Sequence, residues 1–172
     1  MKNAKLIIDG KEIEVLISEE NLEKLTDKRT TGYERASSGS TYYTDSCGKV
    51  DALAESKEWD ESLKFDEEVY KSGNYYSDPD VAANNIRADN LMRKLRRFAV
   101  ENRKDDIDWT NKNQDKYYLY YNYLTKEICI VSCISYRNFG QISFDTKEMA
   151  ELAIEMFEDE LQWYFTEYRD SL

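Results

Sequence analysis

The sequence predicts an α+β fold, in which helices pack on one face of an antiparallel sheet, and three patterns support this prediction. Asp9-Gly10 lies between two alternating apolar segments, which is a strong hairpin signal because both central residues of such a tight turn need positive φ. Tyr42-Tyr43 and Tyr117-Tyr118 open two further strand-turn-strand patterns. A long amphipathic pattern behind a capping signal follows each of them, which predicts two helices.

Apolar alternation around Asp9-Gly10 predicts strands from Lys5 to Asp9 and from Lys11 to Ile17. Ser18 is a suitable N-cap, and apolar residues at helical spacing behind it predict a short helix from Glu19 to Thr26. The polar, Gly- and Ser-containing stretch that follows indicates a linker. We therefore divide the chain into an N-terminal β-hairpin with a short helix (1–27), a linker (28–40) and an α+β main domain (41–172).

The first half of the main domain is predicted to form two short strands and a long helix. The strands run from Thr41 to Thr44 and from Lys49 to Ala54, and Gly73 to Tyr76 is an extended entry to the helix. Ser77-Asp78-Pro79-Asp80 combines capping side chains, a first-turn proline and a favourable negative charge. The helix is expected to end near Arg103, with an inner face of Val81, Ala88, Leu91, Met92, Leu95, Phe98 and Ala99.

The second half of the main domain repeats this pattern. Tyr117 to Leu124 and Glu127 to Ser135 predict two strands, and Gln141 to Phe144 can form a third. Asp145 and Glu148 are spaced as a capping box, with Asp145 as the cap. The helix is expected to span Thr146 to about Tyr168 and to bury Met149, Leu152, Ala153, Met156, Phe157, Leu161 and Tyr164.

The two halves of the main domain share one order: two strands, an extended third segment and a capped helix. We interpret this order as a degenerate internal ββ(β)α repeat, and convergent capping chemistry is the alternative interpretation. Either origin favours an antiparallel sheet with helices on one face.

The composition is strongly acidic and lacks histidine. The 172 residues carry a net charge of −11, and the pI is about 4.6. Such a chain is repelled by free nucleic acid and anionic membranes, and it is attracted to basic protein surfaces, including those that bind nucleic acid. The alternative is that the charge confers only solubility. Without histidine, the usual general base, His-ligated zinc and His-based nucleophilic triads are excluded.

The sequence lacks targeting signals, and its cysteines are not spaced for a local disulfide, so we expect an intracellular protein. No apolar stretch reaches membrane length and Met1 to Gly10 lacks a signal-peptide pattern, so we expect a soluble protein with a cytoplasmic location. Cys129 and Cys133 are four positions apart on one predicted strand, roughly 13 Å, which is beyond disulfide reach. Together with Cys47, they are expected to be reduced packing residues.

An acidic segment at residues 55–71 is the first candidate site. Apolar residues interrupt it, among them Trp59 and Phe65, so the segment is expected to pack on the body of the protein. An anchored acidic segment can present its charges in a fixed array, as a phosphate backbone does. The candidate partner-binding residues are Glu58, Asp60, Glu61, Asp66, Glu67 and Glu68.

A second candidate is the aspartate loop, by which we mean Asp105, Asp106 and Asp108. Carboxylates can hold a hard cation without histidine, and metal-dependent cleavage of nucleic acid uses such sites. The loop lacks the glycine and the terminal glutamate of an EF-hand, so a solvated loop is the simpler interpretation. We therefore expect no catalytic residue and no cofactor, and a divalent metal such as magnesium is the alternative.

Two further patterns favour a structural interpretation. The tyrosine-rich strand from Tyr117 to Tyr123 could stack on bases, but packing against helices is favoured because no basic surround accompanies it. Arg87, Arg93, Lys94 and Arg97 form a basic stripe on one predicted helix. A solvated helix face paired with nearby carboxylates is favoured over a phosphate contact.

Four short patterns carry a resemblance to known proteins: the opening Lys5 to Ile13, the stretch Gly32 to Arg35, Gly73 to Tyr76 ahead of a helix, and the ending Phe144 to Leu161. They resemble small acidic proteins of phages and mobile elements in Firmicutes. In size and acidity the chain resembles type II-A anti-CRISPR proteins. The resemblance implies an inhibitor of an RNA-guided nuclease or of another host complex that handles nucleic acid.

Charge and resemblance together predict an inhibitor of a host defence complex, most specifically a type II CRISPR nuclease. Its acidic surface would mimic nucleic acid and occupy a basic groove of the effector or of its guide-RNA complex. A membrane or free nucleic acid is not an expected partner. The alternatives are a carboxylate-metal ribonuclease that truncates the guide RNA in the presence of the effector, and a phage protein with an unrelated housekeeping role.

Overall fold

The computed structural model describes residues 2–8, 11–18, 31–34, 41–45, 48–53 and 60–168. This part of the chain combines antiparallel strand pairs with helices, which confirms the α+β prediction. In chain order the elements are β1 (Lys2–Ile8), β2 (Lys11–Ile17), β3 (Thr41–Thr44), β4 (Val50–Leu53), α1 (Asp60–Lys71), α2 (Pro79–Glu101), β5 (Lys116–Asn122), β6 (Glu127–Cys133) and α3 (Lys147–Thr166).

The strands form two-stranded antiparallel hairpins, β1–β2, β3–β4 and β5–β6, so the expected sheet is divided into small units. In the first hairpin Ile8 lies opposite Lys11. The predicted turn at Asp9-Gly10 and the predicted helix at residues 19–26 lie outside the described residues. The β5–β6 hairpin pairs Lys116 with Cys133 and Asn122 with Glu127.

In both halves of the main domain, the residue just ahead of the long helix pairs with the first strand of the hairpin. Tyr42 and Tyr76 exchange backbone hydrogen bonds of 2.8 and 2.9 Å, and Tyr117 and Phe144 exchange bonds of 2.9 and 2.7 Å. Each helix N-cap follows two residues later. The halves thus share the order hairpin, paired residue, helix, while their duplication from one unit stays a prediction.

The core lies where α2 and α3 pack on one face of the β5–β6 hairpin. Phe98 of α2 makes edge-to-face contacts with Phe144 and Phe157, at centroid distances of 6.4 and 5.9 Å. The buried cluster comprises Leu91, Leu95, Phe98, Phe144, Ala150, Ala153 and Leu161. Strand residues Tyr117, Leu119, Ile128 and Ile130 pack against it, so alternate residues of each strand face the helices, as the period of two requires.

The predicted inner face of α3 is wrong at two positions. Leu152 is 36% exposed and Met156 is 58% exposed, whereas Ala150 and Trp163 are buried. Non-helical backbone angles at Phe157 (φ −122°, ψ 20°) interrupt the helix. One uninterrupted helical period therefore cannot describe both ends of α3, and the predicted face was also too wide.

The predicted capping box of α3 is also wrong. Thr146 is the N-cap, and its hydroxyl accepts a hydrogen bond of 3.2 Å from the backbone N–H of Met149. Asp145 is buried, and its Oδ2 accepts bonds of 2.6 and 3.1 Å from the backbone N–H groups of Lys104 and Asp105. This side chain joins the chain that leaves α2 to the chain that enters α3, which no local pattern could indicate.

Part of the predicted linker packs against α2. Gly32 is buried at φ +84°, and a Cβ at this position would lie 2.6 Å from Cγ2 of Val81. The Gly32 carbonyl accepts a 2.8 Å bond from the N–H of Ser77, and the Tyr33 hydroxyl accepts one of 2.8 Å from Nδ2 of Asn85. Residues 31–34 therefore belong to the surface on which α2 begins.

Candidate acidic interaction surface

Helix α1 carries all of the predicted partner-binding residues except Glu58, and its apolar side chains place it against the body of the protein. Val69 is buried, and Tyr70 contacts Tyr75 edge-to-face at a centroid distance of 5.3 Å. Phe65, which is 40% exposed, makes the same kind of contact with Tyr43, also at 5.3 Å. The predicted anchor Trp59 lies outside the described residues.

The C-terminal end of α1 is tied to strand β3 by one side chain. Asn74 accepts bonds of 2.9 and 2.6 Å from the N–H and hydroxyl of Thr44, and its amide donates one of 2.7 Å to the Thr44 carbonyl. Sequence reasoning missed both Asn74 and Tyr43 as positioning residues. Their partners are distant along the chain, so only their residue types could have suggested this role.

The six predicted partner-binding residues have different surroundings. Asp66 is half-buried and accepts a 3.4 Å hydrogen bond from the Thr41 hydroxyl, while Glu67 pairs with Lys71 at 3.4 Å. Glu68 is exposed. Asp60 and Glu61 lie in the first turn of α1, with side chains outside the described part, and Glu58 lies outside it altogether.

Tyr43, whose ring contacts Phe65 of α1, also hydrogen-bonds to a carboxylate of β4. The hydroxyl of Tyr43 donates a 3.3 Å bond to Oδ2 of Asp51. Burial and the negative charge of Asp51 raise the pKa of this hydroxyl above its ordinary value. Tyr43 therefore stays neutral at physiological pH and acts here as a donor and as a ring that supports Phe65.

Helix α3 exposes a second set of carboxylates. We call Glu151, Glu155, Glu158 and Asp159 the α3 carboxylate row, and all four are exposed. Lys147 pairs with Glu151 at 3.0 Å, and this hydrogen bond raises the pKa of the lysine. At 1.5 Å per residue the row extends roughly 12 Å along the helix.

The structure does not bring the aspartate loop together around a common point. Asp106 pairs with Arg103 at 2.8 Å. Oδ1 of Asp108 accepts bonds of 2.8 and 2.7 Å from the N–H and hydroxyl of Thr110, which lower the pKa of this carboxyl. Among the described residues, no group of three or more His, Cys, Asp or Glu side chains is placed to hold a metal ion.

Members of the basic stripe contact their neighbours on the surface. Arg87 bonds to Glu160 at 2.9 Å and lies 3.9 Å from the ring centroid of Trp163. Arg97 bonds to Glu101 at 2.7 Å, which raises the pKa of the arginine. These contacts agree with the predicted solvated and paired helix face.

Comparison with protein-family models, curated proteins and solved structures finds no match to this chain. Among the described helices, none combines the length and the apolar character that a membrane span requires.

Proposed function

We propose that this protein inhibits a host complex that handles nucleic acid, most specifically a type II CRISPR nuclease, by placing an acidic surface in a basic groove. The supporting observation is that α1, which carries Asp66, Glu67 and Glu68, is anchored by Val69, Phe65 and Asn74 rather than extended into solvent. A fixed array of carboxylates binds with less loss of conformational freedom than a mobile one.

Electrostatics sets the expected properties of this interaction. Opposite net charges accelerate association by about 10- to 1000-fold, and salt weakens the effect because it screens exposed charges. A chain with a net charge of −11 should therefore bind a basic groove most rapidly at low ionic strength. The resemblance to type II-A anti-CRISPR proteins supports the choice of effector.

The test compares two variants with the same change in net charge. In the α1 variant Asp60, Glu61, Glu67 and Glu68 become Lys, and in the α3 variant the α3 carboxylate row, Glu151, Glu155, Glu158 and Asp159, becomes Lys. Binding to a purified type II effector with its guide RNA is measured at low and moderate salt, together with DNA cleavage. We expect wild type to bind and inhibit, and the α1 variant to lose most of both and to show a flatter salt dependence.

The α3 variant is expected to keep most of the inhibition. Circular dichroism controls for folding, since single surface changes usually cost within about 0.5 kcal/mol. Equal losses of inhibition in both variants would show that net charge, and not the position of the α1 carboxylates, causes the inhibition. A wild-type protein that neither binds nor inhibits would refute the proposal. Guide RNA is run on a gel in the same reactions. Magnesium-dependent shortening that disappears in Asp106→Asn would favour the ribonuclease alternative instead.

A further inference from the structure

A pocket of about 430 Å³ opens beside the C-terminal turns of α2. Its walls come from three separate segments: α2 contributes Arg96 and Val100, the loop after α2 contributes Arg103 and Trp109, and the loop after β6 contributes Arg137. Small-molecule sites typically measure roughly 300–1,000 Å³ and combine apolar walls with a few polar groups. The size and lining therefore suit a small ligand.

Three arginines line this pocket in a protein that is otherwise strongly acidic. Arg103 pairs with Asp106 at 2.8 Å. Within the described part of the chain, no carboxylate forms an ion pair with Arg96 or Arg137, and both residues are exposed. Like charges that share a concave surface repel each other, and an anion between them relieves this repulsion. The pocket thus favours a ligand that carries negative charge.

Trp109 is the aromatic wall of the pocket, and a buried lysine holds it in place. Lys116 is fully buried, and its Nζ donates bonds of 2.9 and 2.8 Å to the carbonyls of Asn111 and Ile134. The same Nζ lies 5.8 Å from the ring centroid of Trp109, and the guanidinium of Arg137 lies 5.9 Å from it. Trp109 is thereby positioned as a half-buried ring, next to the 60% exposed side chain of Val100.

We propose that this pocket binds a nucleoside monophosphate, with its base against Trp109 and its phosphate between Arg96 and Arg137. A planar guanidinium donates two parallel hydrogen bonds to phosphate, and an indole ring stacks on any base. Of the common small anions, a nucleotide combines the flat apolar part and the compact charge that this lining offers. No residue that lines the pocket belongs to α1, so this site does not depend on the acidic interaction surface.

The negative net charge of the protein repels a single nucleotide less than it repels a nucleic-acid strand. A nucleic-acid strand extends past the pocket and meets the acidic faces of the protein, whereas a single nucleotide remains near the arginines. Charges farther away than the Debye length, about 8 Å at physiological ionic strength, are largely screened. The nearby Asp106 and Asp108 are engaged by Arg103 and Thr110.

The experiment is calorimetric titration of the purified protein with adenosine, guanosine, cytidine and uridine monophosphate, with adenosine and inorganic phosphate as partial ligands. We expect the purine monophosphates to bind most tightly, because their larger rings stack over more area. Adenosine and phosphate should each bind at least about tenfold more weakly, since each makes only part of the charge-assisted or stacking contacts.

Arg96→Gln and Arg137→Gln should each weaken binding of adenosine monophosphate by about 10- to 100-fold, because each removes a charge-assisted contact. Arg97→Gln is the matched control, since Arg97 is exposed on the same helix, pairs with Glu101 and does not line the pocket. It should bind as wild type does. The proposal is overturned if no monophosphate binds, if phosphate alone binds as tightly as the nucleotides, or if all three variants bind equally.

Discussion

Glu34 shows how one exposed side chain can order a turn. Its Oε1 accepts bonds of 2.6 and 2.9 Å from the N–H and hydroxyl of Thr31, and its Oε2 accepts one of 3.0 Å from the N–H of Gly32. These donors, the backbone N–H of Thr31 foremost, lower the pKa of the carboxyl from 4.5 to about 2. The charged form of Glu34 is thus the one that holds residues 31–34 beside α2.

A depressed carboxyl pKa makes stability depend on pH in a defined window. The contribution of Glu34 should be fully present above the unfolded value of 4.5 and lost as pH falls from there towards about 2. Glu34→Gln should therefore destabilise the protein at neutral pH, and its difference from wild type should shrink on acidification. Denaturant unfolding of both proteins over this pH range measures the difference in stability. NMR titration of the Glu34 carboxyl measures its pKa directly. A Glu34 pKa at its ordinary value would contradict the prediction.

Asp145 carries a second residue-scale prediction. Replacement by Ala leaves the backbone N–H groups of Lys104 and Asp105 without their acceptor. We expect a loss of about 1.5–3 kcal/mol in the free energy of unfolding, as for hydrogen bonds to charged groups. Asp145→Asn keeps an acceptor oxygen and should cost less. Chemical denaturation compares the two, and equal losses would show that the carboxylate oxygen is not the stabilising group.

At the scale of elements, the exposure of α3 residues predicts unequal costs for the same substitution. Leu161 is 2% exposed in the core between α2 and α3, whereas Leu152 is 36% exposed. Leu161→Ala should cost about 2–5 kcal/mol through a core cavity. Leu152→Ala should cost about 1 kcal/mol or less, because folding buries less of the apolar surface of this side chain. The midpoints of chemical denaturation of the two variants measure this difference. Equal shifts of the two midpoints from wild type would contradict the observed register of α3.

The start of α2 was predicted correctly from sequence. Asp78 is the N-cap of α2, with Pro79 in the first turn, and its carboxylate accepts bonds of 2.8 and 3.3 Å from the N–H groups of Asp80 and Val81. This signal depends only on neighbouring residues, so it can be recognised without the fold. For α3, adjacent Asp145 and Thr146 both fit the cap, and the choice depended on which side chain a distant loop engages.

At the scale of the whole molecule, opposite charges occupy different places. Exposed carboxylates lie on α1 and along α3, while Arg96, Arg103 and Arg137 line one pocket. The proposed effector interaction and the proposed nucleotide site therefore use separate surfaces. Charge reversal on α1 should leave nucleotide binding intact, and the arginine substitutions should leave effector binding intact, so each proposal can fail without the other.

The sequence by itself determined the α+β class, the hairpins, the start of α2 and the acidic character, because alternation, caps and charge are local or additive properties. The tertiary structure alone decided what Asp145 binds, that Leu152 faces solvent, and that Arg96, Trp109 and Arg137 line one pocket. These facts depend on how α2, α3 and their loops pack. Packing follows from side-chain contacts between residues far apart in sequence, which no local pattern encodes.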